Sequence, residues 1–515
     1  MIKERIAIFL YLKDFTEKGN DRYFIYDEAL FQEISVIQLV EYGGTLITHD
    51  YWLIAPSIYK SSGSLPKAVV DLPELAKFIS GKKLDKETIK EKSIKALMKP
   101  YYTDIKDLDN YFEEYYRRIS FELETYQLFS HMLFSCWENM TVLAKSKGEW
   151  DRYIEVELPV FNLMTKVAVR GIKTDNKILR EHKKNIDDDF FRELKKFAIE
   201  YGLFFEVPIA NVLHDILSDR GYDLTEMSVD FVLEFLPMVD NFGERVIALQ
   251  KLQKSRVALA NITLSKTRVC PIAETHSTVT SRMYYKNPTV QNLAKRYRDI
   301  FIADNDRTLS YVDYDQFEIG IMAALSKDKK LEEIYSNTDI YKKFSLEIFG
   351  DEGKRSISKK LFLAFTYGMT HVNLLEAVKQ HGGDKEVARL FFDQFAVFIE
   401  WRVGIEKLFL ENGRISTLFG NNLERTGVGE LSFKEKRSCV SHVVQGTGSL
   451  IFKKALLELS KDSEIEILIP MHDAVLVQHL PAYDISKIII VFESTMNIVL
   501  GDVINSKASI ESFVH

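Results

Sequence analysis

Two apolar runs near the end of the chain, Ile465–Pro470 and Val475–Leu480, are separated only by Met471-His472-Asp473-Ala474. Short Ile/Val/Leu runs split by turn-forming residues predict a β-hairpin with His472 and Asp473 at its tight turn. A related signal lies earlier. In Thr308–Leu325 the apolar period changes midway: Leu309, Tyr311 and Asp313 alternate as on a strand, and from Gln316 the spacing is helical. Asp313 thus ends a largely apolar strand, where a carboxylate is costly to bury unless it is paired or holds a cation. The plainer alternatives are a helix N-cap for Asp313 and simple turn chemistry for Asp473. Two strand-end aspartates also suit Mg²⁺, which takes hard oxygen ligands and few protein carboxylates. Two such ions about 4 Å apart would clamp the attacking and leaving oxygens of a phosphoryl transfer.

A third segment points the same way. Arg355, Lys359, Leu363 and Tyr367 recur every four residues in Arg355–Gly368, one stripe of a helix. Two cations, an apolar residue and an aromatic form a surface suited to a triphosphate, then a sugar and a base. A solvated face would explain the cations but not the closing Tyr-Gly. Between residues 251 and 300 there are ten Lys/Arg against two acids, Glu274 and Asp299, with Tyr284, Tyr285 and Tyr297 interleaved. Such a run is either a solvated face or a phosphate-tracking groove. The whole chain has 75 acids against 68 Lys+Arg, which excludes a uniformly basic nucleic-acid coat.

With 46% apolar residues in 515, the chain can bury several cores, and two to four domains are expected. Cys136, Cys270 and Cys439 lie far apart, which argues against a disulfide scaffold or a Cys-rich zinc module. No run of 18 apolar residues occurs, and the apolar start is short and lacks a cleavage site, so a soluble cytoplasmic protein without membrane partners is expected. No repeat or low-complexity linker marks a border. Residues 1 to 145 mix strand-like runs (Arg5–Tyr11, Thr45–Thr48, Ala68–Val70) with helical ones (Leu72–Ile79, Tyr111–Leu133), an α/β or α+β pattern. From about 150 to 265 the pattern is helical, with Glu244–Leu264 as a long helix.

Six segments, in order, resemble the motifs of family A DNA polymerases, the group of bacterial DNA polymerase I. They are Thr280-Ser-Arg282 with Pro288-Thr-Val-Gln291-Asn292, Asp313-Tyr-Asp-Gln-Phe-Glu318, Arg355 to Gly368, Thr417-Leu-Phe-Gly420, Gln445-Gly-Thr447 and His472-Asp473. Together they cover about residues 150 to 515. The chain departs from the pattern at Leu363, where most relatives have Phe or Tyr, at Ala364 for Gly, at Ala474 for a carboxylate, and at Thr289 for Asn.

The resemblance implies a multidomain α+β protein: a right-hand polymerase over residues 146–515, preceded over 1–145 by a degenerate RNase H-like, 3′→5′ exonuclease-type domain. It places the thumb near 176–262, the palm near 263–345 and 441–515, and the fingers near 346–440. Asp313, Asp473 and the Tyr314 carbonyl would hold two Mg²⁺ ions, with Mn²⁺ able to substitute. Arg355 and Lys359 would grip the triphosphate, and Lys359 would serve catalysis by protonating the leaving group. Gln316, Glu318, Leu363 and Tyr367 would complete the dNTP site, Glu318 as a steric gate against a ribose 2′-hydroxyl. Arg282, Gln291, Asn292, Arg296, Arg437, Gln445 and His472 would contact DNA. The implied partners are primer–template DNA and dNTPs, with a helicase or processivity factor left open. A monomer without the 5′-nuclease domain of many relatives, from a bacterium, phage or mobile element, is expected.

Thr48-His49-Asp50, Val70-Asp71 and Glu124–Leu128 resemble segments of the exonuclease fold. Its opening strand should carry an Asp-x-Glu, but Ile6–Leu10 has no acid, and Ile54 and Phe121 align with two further metal aspartates. The expected activity is therefore DNA polymerisation without proofreading. A single-subunit RNA polymerase is the alternative within the superfamily, against which Glu318 argues. A non-catalytic nucleic-acid-binding protein is the other, against which the joint retention of Asp313, Asp473, Arg355, Lys359 and Tyr367 argues.

Overall fold

The run Ala7–Leu12 is buried at every position, and it forms the centre of a five-stranded sheet. Burial on both faces is why the run reads as continuously apolar rather than alternating. The structure, a computed structural model, describes residues 5–514 apart from 17–18, 28–29, 80–92, 103, 225–226, 237, 239 and 277. The strand order is Phe31–Ile34, Arg22–Tyr26, Ile6–Leu12, Thr45–Thr48, Val69–Asp71. The first three pair antiparallel and the last two continue parallel to the centre.

The helix expected over Tyr111–Leu133 is in fact two, Ile105–Tyr115 and Leu123–Ser146. Arg117 takes a φ of 61°, which no helix continues through, and the buried Glu114 carboxylate accepts the Glu122 N–H, turning the chain. Asp71 caps helix Leu72–Phe78, accepting the Glu74 N–H at its start, and it is buried, which pushes its carboxyl up to about 8.

The remaining residues are organised by a four-stranded antiparallel sheet in the order Ile465–Met471, Ala474–His479, Thr308–Tyr314, Ala508–Glu511. Val312 and Tyr314 face the helices behind it, where the Tyr314 hydroxyl donates to the Phe492 carbonyl. Asp313 is left on the opposite face. The 27-residue helix Phe433–Leu459 packs close against helix Phe317–Ser326. Small residues fit the close approach: a Cβ on Gly448 would meet the Phe317 ring at 3.0 Å, and on another side of the same helix one on Gly446 would meet Thr417 Cγ2 at 2.7 Å.

The helical reading of 150 to 265 holds for Leu158–Arg170, Asn176–Tyr201, Ala210–Asp219 and Phe242–Ala260. Several expected borders move. The N-terminal core extends through Tyr153 to Leu158, past the border set at 145, because those side chains pack inward on that sheet's helices. The borders at 345 and 440 fall inside the continuous helices Ile340–Phe349 and Phe433–Leu459.

A buried chain of alternating charges joins the two cores. Glu149 pairs with Arg152, Arg152 with Glu157, and Glu157 with Lys453, all of them buried. No helix among the described residues is long and apolar enough to cross a membrane.

Candidate active site

The sheet register brings the two aspartates together. Asp313 stands opposite Ala474 on one side and Ser509 on the other, and the Tyr314 N–H donates to the Asp473 carbonyl at 3.2 Å. Asp473 follows His472 in the two-residue turn of the hairpin, where His472 takes a φ of 55°. Both carboxylates line a cleft of about 300 Å³, together with Arg355, Lys359, Leu363, Arg282, Glu318 and Gln445. Asp313 is not an N-cap: the cap position of the following helix is Gln316, with a φ of 52°.

The electrostatics are those of two crowded carboxylates, only partly balanced by Lys359 and Arg282. Burial and the neighbouring Asp473 charge push the Asp313 carboxyl up, with Glu511 adding to the effect. Burial also raises Asp473, partly opposed by the Arg282 guanidinium. One oxygen of Asp313, Oδ1, is buried with no hydrogen-bond partner. An orphaned carboxylate oxygen beside a second carboxylate fits a divalent cation with hard-oxygen preference. Among the described residues no group of three or more His, Cys, Asp or Glu is gathered to hold a metal by itself. An ion here would therefore draw further ligands from the backbone, water or a phosphate substrate. His472 is pushed down to about 4 by burial, with the Arg282 charge adding, and its ring lies edge-on to Tyr284 at 4.9 Å.

Glu318 is clamped from two sides. Arg282 donates to its Oε1 at 2.8 Å and the Tyr367 hydroxyl to its Oε2 at 2.6 Å. Arg355, Lys359 and Leu363 of the stripe read from sequence line this cleft, while Tyr367, the C-cap of helix Arg355–Thr366, lines the adjoining cavity that Leu363 also borders. Arg355 is paired with Asp339, and both Arg355 and Lys359 lie over the Tyr341 ring, at 5.5 and 5.9 Å. The Gln316 amide oxygen accepts the Ile340 N–H and so also holds backbone.

Other expected contact residues lie elsewhere. Gln291 spends its amide on both backbone groups of Tyr285, while Asn292 and Arg296 are exposed on the 3₁₀ segments that follow. Arg437 lines two adjoining cavities that it shares with Tyr367; Gln445 reaches the larger of them. In the basic run, Arg256, Arg268, Arg282, Lys286 and Lys295 are paired with carboxylates, so part of that charge is neutralised within the fold. Tyr341, Asp339 and Glu511 were not anticipated. Glu511 reaches the cleft only through the pairing of the last strand with Thr308–Tyr314, for which the sequence carries no signal.

Comparison with known proteins places this cleft in context. The family model described as DNA polymerase family A matches residues 225–507. DNA polymerase I of Aquifex aeolicus is 25% identical over 365 residues, covering 63% of this chain and 60% of that protein. DNA polymerase I of Chloroflexus aurantiacus is 23% identical over 376 residues, covering 64% and 39%. DNA polymerase theta of Caenorhabditis elegans is 29% identical over 215 residues, 39% of this chain and 13% of that one. The chain thus spans less than two thirds of the length of each of these relatives. The POL domain of Pol1 from M. smegmatis, in a complex with DNA primer-template and dNTP, superposes with a TM-score of 0.73 at 16% identity, covering 98% of this chain and 95% of that one. That likeness establishes a shared fold across nearly the whole length. The matched family span exceeds half of the 515 residues and contains both aspartates and the Arg355–Tyr367 stripe, and so the chain belongs to DNA polymerase family A.

Proposed function

We propose that the protein is a template-directed DNA polymerase that extends a primer 3′-end with dNTPs by a two-metal-ion mechanism, without proofreading. The observation that carries the reading is the meeting of Asp313 and Asp473 with Arg355 and Lys359 across one cleft. Primer–template DNA and dNTPs, the ligands of the M. smegmatis domain, are the proposed partners here too. Primer extension with Mg²⁺, comparing dNTPs with rNTPs, tests it directly. Extension with dNTPs supports the reading, and a preference for rNTPs would replace it with an RNA polymerase.

In this reading the second sheet is the palm, helix Arg355–Thr366 belongs to the fingers, and helices Asn176–Tyr201 and Phe242–Ala260 to the thumb. Asp313, Asp473 and the Tyr314 carbonyl would hold the ions. When bound, two Mg²⁺ ions would lower the pKa of the primer 3′-hydroxyl and neutralise charge on the triphosphate and departing pyrophosphate. Arg355 and Lys359 orient the phosphates, and Lys359, exposed at the cleft, can pass a proton to the leaving group. Arg282, Gln445 and His472 meet the primer terminus, where minor-groove acceptors make contact tolerant of sequence. Arg437 and the cavities beside Tyr367 lie on the template side. Gln291 acts by bracing the Tyr284–Lys286 backbone, and Asn292 and Arg296 by exposed contact with DNA.

Glu318 is fixed by Arg282 and Tyr367, and in this reading it is the steric gate against a ribose 2′-hydroxyl. Glu318→Ala should raise ribonucleotide incorporation by roughly tenfold or more, since the shortened side chain opens space for a 2′-hydroxyl. Competition between dNTP and rNTP measures this, and unchanged selectivity would remove Glu318 from the sugar pocket. Leu363→Phe and Leu363→Tyr should shift discrimination at the sugar 3′-position.

The N-terminal unit is proposed to be an inactive exonuclease-type fold that serves as structure. Where a nuclease needs converging carboxylates, strand Ile6–Leu12 presents Tyr11, whose hydroxyl lies 2.7 Å from that of Tyr115. Ile54 is fully buried, Phe121 stacks on Phe24 at 5.2 Å, and Asp71 is spent on the Tyr51 and Glu74 N–H groups. A 3′-mismatched primer–template incubated with Mg²⁺ or Mn²⁺ and no nucleotides should stay intact. Stepwise shortening that persists in an Asp313/Asp473 double variant would overturn this.

A further inference from the structure

The geometry points to Asp339 as the positioning residue for the phosphate-binding arginine. This rests on the polymerase reading above and deepens it. Asp339 is the N-cap of helix Ile340–Phe349, and its two oxygens divide the work. Oδ1 accepts the Tyr341 and Lys342 N–H groups at 2.9 and 3.1 Å. Oδ2 takes Arg355 through Nε at 2.8 Å and one terminal nitrogen at 2.7 Å.

The pairing uses one edge of the guanidinium. The Nε–H is donated to Asp339 and one terminal nitrogen rests against the same oxygen, which leaves the far edge of the guanidinium for a ligand. The Tyr341 ring lies beneath the same group, 5.5 Å away, so the plane as well as the edge of Arg355 is set. Gln316 ties the same helix start to the end of the Asp313 strand, its amide oxygen accepting the Ile340 N–H at 2.9 Å. A short hydrogen-bonded path thus runs from the metal-binding strand through one helix N-terminus to the cation that meets the triphosphate. Asp339 touches no substrate in this arrangement. It acts through Arg355 by removing rotamer freedom that nucleotide binding would otherwise have to remove.

Asp339→Asn separates this role from a merely structural one, because Asn caps a helix about as well as Asp but cannot form the ion pair. The experiment has two readouts. One is steady-state primer extension, giving KM for dNTP and kcat. The other is equilibrium dNTP binding to enzyme on a dideoxy-terminated primer–template in Mg²⁺, which needs no chemistry. Asp339→Asn should weaken dNTP binding and raise KM by roughly tenfold, with kcat and the melting temperature little changed. In an Arg355→Ala background the same substitution should add nothing. Tighter or unchanged dNTP binding, or a loss that adds in full to that of Arg355→Ala, would overturn the assignment. A wild-type chain that binds dNTP without extending primers would instead count against the polymerase reading, and the binding arm would still decide the role of Asp339.

Discussion

Asp473→Asn should lower primer extension by at least ~10³ while binding to primer–template duplex persists, and Asp313→Asn should do the same. The argument is electrostatic. Each substitution removes one of two carboxylates whose mutual crowding is relieved only by a cation, and amide oxygen is a far poorer ligand for Mg²⁺. In the proposed reading duplex affinity would come from other charges, the exposed cations of the 251–300 run and Arg437, and it should fall with salt as phosphate contacts do. Neither variant should unfold: both residues are half-buried, and the neutral amide relieves like-charge repulsion. Extension rates under single-turnover conditions, set beside duplex affinity, check the claim. An Asp473→Asn enzyme near wild-type rate would remove the two-metal assignment, and a parallel loss of duplex binding would mean the aspartates serve structure.

Glu157→Ala should cost about 3–5 kcal/mol of stability, more than any surface change in the molecule. Glu157 is the centre of the buried chain of charges, with Arg152 at 3.0 Å on one oxygen and Lys453 at 2.5 Å on the other. Removing it leaves an ammonium and a guanidinium in a dry interior, with the Thr275 carbonyl and Glu149 as partial compensation. Lys453 is already shifted downward by burial, the direction expected for a cation that depends on its partner. Glu149 also holds the Asn422 amide, so the loss should propagate into the joint between the N-terminal unit and the polymerase sheet. Denaturant midpoints and limited proteolysis measure both effects. The exposed pair Lys461–Glu458 is the control, for which Lys461→Ala should shift stability by less than about 1 kcal/mol. A Glu157→Ala midpoint shift no larger than that of the control would show that water reaches the network.

The hairpin at His472-Asp473, the strand-to-helix switch after Asp313 and the stripe Arg355–Tyr367 were all legible because each is local. Apolar periodicity and turn chemistry act over a few residues, and the structure forms each element within a residue or two of its expected bounds. The same reasoning joined Ile105–Tyr115 to Leu123–Ser146, because the break is held by Glu114 reaching back to Glu122, a contact without periodicity. It also left the basic run undecided, since the partners that neutralise Arg256, Arg268 and Lys295 lie between 36 and 216 residues away.

What the sequence by itself determined is the chemistry available: two strand-end aspartates, two cations one helical turn apart, and an opening strand, Ile6–Leu10, without an acid. What only the tertiary structure decided is who meets whom. The antiparallel register placed Asp313 beside Asp473 and brought Glu511 to the same cleft, the Asp339 cap fixed one edge of Arg355, and a buried run of four charges locked the two cores together. Pairings of that kind span tens to hundreds of residues, and their energies depend on burial and geometry, which the order of residues along the chain does not display.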